Sequence, residues 1–145
     1  MKALVLGLLV SALAVGVAHA EGDAAAGAAV FKKCAACHAV GEGAKNKVGP
    51  ELNELFGRVA GTAADYKYSQ AMIDAGASGI VWTPEEIAKY LHKPKHLVPG
   101  TKMSFPGLAE QADIDNIVAY LGTFSPTYVP VAPADGAAPA TPTAQ

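Results

Sequence analysis

Cys34 and Cys37 stand three positions apart and a histidine follows at once, in the run Cys34-Ala35-Ala36-Cys37-His38. That pattern is the attachment signature of a c-type haem. On one helical turn both thiols can reach the two vinyl groups of a single porphyrin and form thioether bonds. The imidazole of His38 then falls beneath the ring with one nitrogen toward the iron. Two other chemistries use a Cys-x-x-Cys pair, dithiol redox exchange and zinc binding. A dithiol site follows a strand in a βαβ unit, and no such pattern flanks Cys34. Zinc needs further ligands, and the only later histidines are His92 and His96. The expected chemistry is therefore covalent attachment of one haem c per chain.

Iron held by one histidine needs a sixth ligand or keeps an open site. Met72, His92, His96 and Met103 are the candidates. Met103 lies on Pro99-Gly100-Thr101-Lys102-Met103-Ser104-Phe105-Pro106, a non-helical loop able to fold over the face opposite His38. Its thioether is neutral and soft, favours ferrous iron and raises the reduction potential. Met72 sits among apolar helix positions and reads as core. His92 and His96 flank the basic stretch Lys93-Pro94-Lys95 and read as solvated surface. The expected axial pair is His38 and Met103. The alternative is a haem enzyme or gas-binding protein with an open distal site.

The elements that must position these residues are short helices. Asp23 is a good N-cap for a helix over Ala24–Lys33 that runs into the cysteines. Leu52, Leu55 and Phe56 suggest one helical turn ended by Gly57, and Ser69 can cap Gln70–Ala75, closed by Gly76. Thr83-Pro84-Glu85-Glu86 is a strong helix start, with a cap, a proline at the first position and a capping box. That helix ends near His92 because Pro94 follows. His96 to Gly107 reads as an extended loop, and Glu110–Leu121 as a last helix striped by Ile114, Ile117, Val118 and Leu121. No period-2 strand pattern occurs. The expected fold is all-α, short helices and loops wrapped around one cofactor.

The two ends do not belong to that fold. Met1-Lys2, an apolar run Ala3 to Val17 and Ala18-His19-Ala20 form a secretory signal peptide (1–20), with the mature chain starting at Glu21. Ser125 to Gln145 carries five prolines and no apolar period, which reads as a disordered tail (125–145). Between them, 21–124 is a single domain whose modest core a buried porphyrin would complete. Export suits haem attachment outside the bacterial cytoplasm, so a periplasmic location follows. Loss of Lys2 takes the formal charge from −2 to −3, which argues against a nucleic-acid partner.

With these residues in view, the chain resembles class I c-type cytochromes, the group of bacterial cytochrome c2 and mitochondrial cytochrome c. The likeness runs from about Gly22 to Phe124. It rests on Gly27 with Phe31, the Cys34–His38 motif, Gly49-Pro50-Glu51-Leu52, Leu55-Phe56-Gly57-Arg58, Trp82, Tyr90-Leu91, Pro99 to Phe105 and Ala119-Tyr120-Leu121. The resemblance implies that the Pro50 carbonyl accepts the hydrogen of the His38 nitrogen not bound to iron. It implies that Leu52 belongs to the haem pocket and that Arg58, Tyr68 and Trp82 hydrogen-bond a buried haem propionate. Tyr90 should lie near the Met103 sulfur, Phe105 should cover the exposed haem edge, and Gly27 and Phe31 should meet Ile117 and Tyr120. Asn46 departs from the mitochondrial pattern by replacing a bridging histidine, and Met72 by replacing a buried polar residue.

The function this implies is that of a soluble one-electron carrier, not an enzyme. It would shuttle between membrane redox complexes, a quinol–cytochrome c reductase on one side and a cytochrome c oxidase, photosynthetic reaction centre or reductase on the other. Lys33, Lys45, Lys47, Lys93, Lys95 and Lys102 should converge around the exposed haem edge and orient the protein, expected to be a monomer, on acidic partners. Asp74, Glu110, Asp113 and Asp115 should lie mostly elsewhere.

Overall fold

The computed structural model describes residues 22–130; the expected signal peptide and the stretch after residue 130 lie outside the described residues. Helix α1 (Ala24–Phe31) starts where Asp23 turns its carboxylate onto the backbone N–H groups of Ala25 and Ala26, at 2.7 and 3.2 Å. It stops two residues sooner than expected. From Lys32 the chain tightens into turns: Cys34 and Ala35 both donate to the Phe31 carbonyl, and Cys37 and His38 lie within one turn of Cys34.

Helix α2 (Gln70–Ala77) is capped by Ser69, whose hydroxyl accepts from the Met72 N–H at 3.2 Å. Gly76, expected as its stop, lies inside it. A Cβ there would stand 2.0 Å from the Ala60 carbonyl oxygen, so the glycine lets the 60s loop approach. The stop falls to Gly79, at φ +102°. Helix α3 (Pro84–His92) begins at Thr83, whose hydroxyl accepts from the Glu86 N–H at 3.1 Å. The capping box is only half formed. The Glu86 carboxylate pairs with Lys89 instead, and the Thr83 N–H donates to the Val81 carbonyl.

The loop expected over His96 to Gly107 gives up its first two residues to one helical turn, α4 (Pro94–Leu97), because Pro94 presets φ and His96 and Leu97 both donate to the Lys93 carbonyl. Helix α5 (Gln111–Gly122) buries Ile114, Ile117 and Leu121 and packs across α1 and against α3. Gly27 is the crossing point. A Cβ on it would lie 2.0 Å from the Asn116 carbonyl oxygen and 2.6 Å from the Tyr120 Cβ. Phe31 and Tyr120 pack beside it with ring centroids 5.4 Å apart, and the Asp23 N–H donates to the Asn116 side chain at 2.8 Å.

Among the described residues there is no strand, only an isolated antiparallel bridge between Val59 and Val81, so the fold is all-α. No helix among them is long and apolar enough to cross a membrane. Two further local expectations fail. Leu52–Phe56 forms turns rather than a helical turn, with Glu54 at φ +47° and Gly57 at φ +84°. The tail does not start at Ser125, which is 4 % exposed, because residues 125–128 pack onto the body.

Gly27→Val forces the α1–α5 crossing apart, since the new atoms meet backbone that cannot move away. The expected loss is about 1–3 kcal/mol, at about 4–8 °C of melting temperature per kcal/mol for a domain of this size. Thermal unfolding of the haem-loaded protein followed at 222 nm checks it; an unchanged transition would mean the crossing tolerates side chains.

Candidate functional site

A cavity of about 380 Å³ opens between the turn after α1, the loop carrying Gly49 to Arg58, the start of α2, helix α3 and the 101–106 loop. Cys34, Cys37 and His38 line it from the first side. Pro50, Leu52, Arg58, Tyr68, Trp82, Tyr90, Met103 and Phe105 line it from the others. Residues as far apart as 34 and 105 thus share one concave surface, and most of that surface is carbon.

The His38 ring is held from both sides. Its Nδ1 lies 2.7 Å from the Pro50 carbonyl oxygen. A carbonyl can only accept, so Nδ1 carries the hydrogen and Nε2 keeps a free lone pair. A Cβ on Gly49 would stand 2.3 Å from His38 Cε1, so only glycine lets the backbone lie against the ring. Burial holds the His38 pKa below the ordinary imidazole value, against the upward pull of the Pro50 bond. The imidazole is therefore a neutral, oriented donor.

Cys34 and Cys37 are both free thiols, and burial pushes the Cys34 pKa up, with Lys33 pulling the other way. A raised thiol pKa is the reverse of what dithiol exchange needs. Among the described residues no group of three or more His, Cys, Asp or Glu side chains is placed to hold a metal ion.

Met103 is half-buried at the cavity. Its N–H donates to the Thr101 hydroxyl at 3.2 Å, and that hydroxyl lies 2.9 Å from the Tyr90 hydroxyl. Lys102 ties the same loop to the Lys67 carbonyl at 3.0 Å. Burial raises the Tyr90 pKa, with the Thr101 hydrogen bond opposing it, so the phenol stays neutral. Met72, read as core, is 6 % exposed and also faces the cavity. Neither His92 nor His96 lines it: His92 is exposed with Nδ1 3.1 Å from the Leu108 carbonyl, and His96 borders a separate groove.

Arg58 brings a positive charge to the cavity wall. Its guanidinium donates to the Glu51 carbonyl at 3.3 Å and lies 3.6 Å from the Glu51 carboxylate, with the side chain 16 % exposed. Burial raises the Tyr68 pKa while Arg58 opposes the rise.

Of the lysines, Lys33 and Lys102 line the cavity itself. Lys93 and Lys95 line an adjoining groove with His96, and Phe105 belongs to both. Lys47 donates to the Ala35 carbonyl within the cysteine motif, and Lys45 is exposed. One acidic residue departs from expectation. Asp113 lies 2.8 Å from Lys33 Nζ, because the α1–α5 crossing brings the first turn of α5 to the end of α1. Two contributors were not read from the sequence as parts of the site. Gly49 gave a signal in its place just before Pro50; Thr101 gave none, because its partners are fixed only by the fold.

The donor set fits a haem c: two thiols at the required spacing, an imidazole with one nitrogen free, a thioether, and apolar walls around a single guanidinium.

A family model described as cytochrome c matches residues 24–125. The chain is 55 % identical over 101 residues to a cytochrome c2 of Agrobacterium tumefaciens, covering 70 % of this chain and 91 % of that protein. It is 52 % identical over 101 residues to a cytochrome c-550 of Bradyrhizobium diazoefficiens, covering 70 % and 72 %. Among solved structures, cytochrome c2 from Rhodospirillum centenum superposes with a TM-score of 0.70 at 44 % identity, over 72 % of this chain and all of that one.

Proposed function

The chain belongs to the cytochrome c family, with a covalently attached haem c, and on that premise we propose that it is a periplasmic one-electron carrier between a quinol–cytochrome c reductase and a terminal acceptor, an oxidase, photosynthetic reaction centre or reductase. In this reading residues 1–20 are removed on export and the electron-carrying domain begins at Glu21. The observation that carries the reading is the convergence of Cys34, Cys37, His38 and Met103 on one largely apolar cavity.

Haem c, when bound, supplies a one-electron couple at its iron. The chain supplies the rest. Cys34 and Cys37 anchor the group through thioethers, His38 offers Nε2 while Pro50 holds Nδ1, and Met103 offers its sulfur from a loop tied down by Thr101 and Lys102. With His38 and Met103 both offered to the iron, no place would be left there for a substrate, which favours carriage over catalysis. Leu52 and Phe105 would exclude water, and Arg58, Tyr68 and Trp82 would present donors to a haem propionate. The first test is spectroscopic: the protein matured with haem-attachment machinery should give a c-type pyridine haemochrome and the far-red thioether-to-iron band when oxidised. A high-spin oxidised spectrum would favour the open-site alternative.

The docking part of the proposal rests on Lys33, Lys45, Lys47, Lys93, Lys95 and Lys102. Lys33 and Lys102 border the cavity, and Lys93 and Lys95 border the groove that shares Phe105 with it. Charge at such a face steers an acidic partner, and salt screens it over a Debye length of about 8 Å at physiological ionic strength. The association rate with quinol–cytochrome c reductase, measured by stopped flow, should fall as salt is added. Lys95→Glu should slow it severalfold at low salt without moving the potential, whereas Glu110→Lys should not slow it. A salt-independent rate, or equal slowing by the two variants, would remove the case for this face.

A further inference from the structure

The residues just past α5 are tied back onto the body. The Glu54 N–H donates to the Phe124 carbonyl at 2.7 Å, and the Phe56 N–H donates to the Ser125 hydroxyl at 3.3 Å. The Thr127 hydroxyl donates to the Glu54 carboxylate at 2.5 Å. The Tyr128 ring lies 5.6 Å from the Phe56 ring, centroid to centroid, and over Gly57, where a Cβ would stand 3.4 Å from it. All four contacts fall on one turn, 54–57, which leads directly into Arg58.

That turn is poorly held by itself. Glu54 and Gly57 both adopt positive φ, and Glu54 does so without a glycine's freedom. On its other side it is fastened to the Trp82 backbone, through Gly57 N–H to the Trp82 carbonyl and Trp82 N–H to the Arg58 carbonyl, both at 2.9 Å. The turn is therefore gripped between the Trp82 segment and residues 124–128, and it carries Leu55 and Arg58 into the cavity wall.

We propose that residues 124–128 form a C-terminal clasp that positions Arg58, and that Tyr128 and Thr127 are thereby positioning residues for the electron-transfer site. The guanidinium, half-buried beside Tyr68 and 3.6 Å from the Glu51 carboxylate, is the arginine charge of a wall that Lys33 and Lys102 also border. A positive charge near the iron disfavours the ferric state, and its effect is largest where water is excluded. Holding Arg58 inward keeps the potential high; releasing the turn lets Arg58 and water exchange places. The inference rests on the haem-carrier reading of the cavity and adds to it a role for the segment beyond the last helix.

The test uses the full-length haem-loaded protein with Tyr128→Ala, Tyr128→Phe, Thr127→Val and a chain ended after Phe124. Spectroelectrochemical titration from pH 5 to 9 reads the midpoint potential, and thermal unfolding reads stability. Tyr128→Ala and the shortened chain should shift the potential downward and steepen its pH dependence, as a propionate loses a fixed cationic neighbour. Tyr128→Phe, which keeps the ring on Phe56 and Gly57, should restore both. Combined with Arg58→Lys, Tyr128→Ala should produce less further shift than it does alone. A lowered melting temperature with an unmoved potential would overturn the clasp as a positioning device and leave a simple brace. If the protein took up no haem at all, the carrier reading itself would fail, an outcome separable from the other by the pyridine haemochrome.

Discussion

Met103→Ala is expected to convert a closed low-spin centre into an open one. The Thr101 and Lys102 contacts that fasten the 101–103 loop do not depend on the thioether, so the loop stays in place while the donor is lost. The reduction potential should fall by at least on the order of 0.1 V, a modest part of the roughly 0.8 V range over which axial ligands act. The fall follows from removing the soft neutral ligand that favours ferrous iron. The far-red band should vanish from the oxidised spectrum, and carbon monoxide should bind the reduced protein, which the wild type should refuse. Met72→Ala is the informative control, because Met72 faces the same cavity and is a thioether too. If Met72→Ala abolished the band and Met103→Ala left it, the ligand assignment would be reversed.

The second large effect is on folding. With Cys34→Ala and Cys37→Ala together, no thioether can form and the cavity loses its covalently held occupant. The cleft of about 380 Å³ would then turn its largely apolar walls to water, forfeiting about 25 cal/mol for each Å² of apolar surface that the porphyrin would otherwise cover. Whole domains are stable by only about 5–15 kcal/mol. The double variant should therefore be largely unfolded at 25 °C, with roughly half or less of the holoprotein's helical signal in circular dichroism and no cooperative melting. A native helical signal with a sharp transition in that variant would show that the polypeptide core suffices alone.

These two predictions draw on different kinds of information. The attachment motif is legible because its chemistry is local: two thiols and an imidazole within five residues determine what can be bound, whatever surrounds them. Helix starts are legible for the same reason. Asp23, Ser69 and Thr83 each cap donors two or three residues ahead, and all three do so as read. Gly27 is legible through its spacing of four from Phe31, one face of a helix, and the family resemblance supplied their partners Ile117 and Tyr120.

What failed lies where a local signal has a distant competitor. Gly76 looks like a helix stop, but its missing Cβ serves the approach of Ala60, and the helix runs past it. Glu86 completes a capping box on paper, yet Lys89 takes its carboxylate. Ser125 opens a proline-rich stretch that composition assigns to solvent, and the unpaired amide of Phe56 draws it into the body. Asp113 and Lys33 are eighty positions apart, and only the crossing of α1 and α5 makes them a pair.

The sequence by itself therefore determined the cofactor, the helical class and the starts of the helices, because covalent chemistry and capping act over a few residues. Only the tertiary structure decided that Thr101 stands between Tyr90 and Met103, that Lys33 meets Asp113, and that Ser125 packs into the body. Each of those depends on two segments meeting across tens of residues, and such meetings are settled by the closure and packing of the whole chain, which no short window of sequence records.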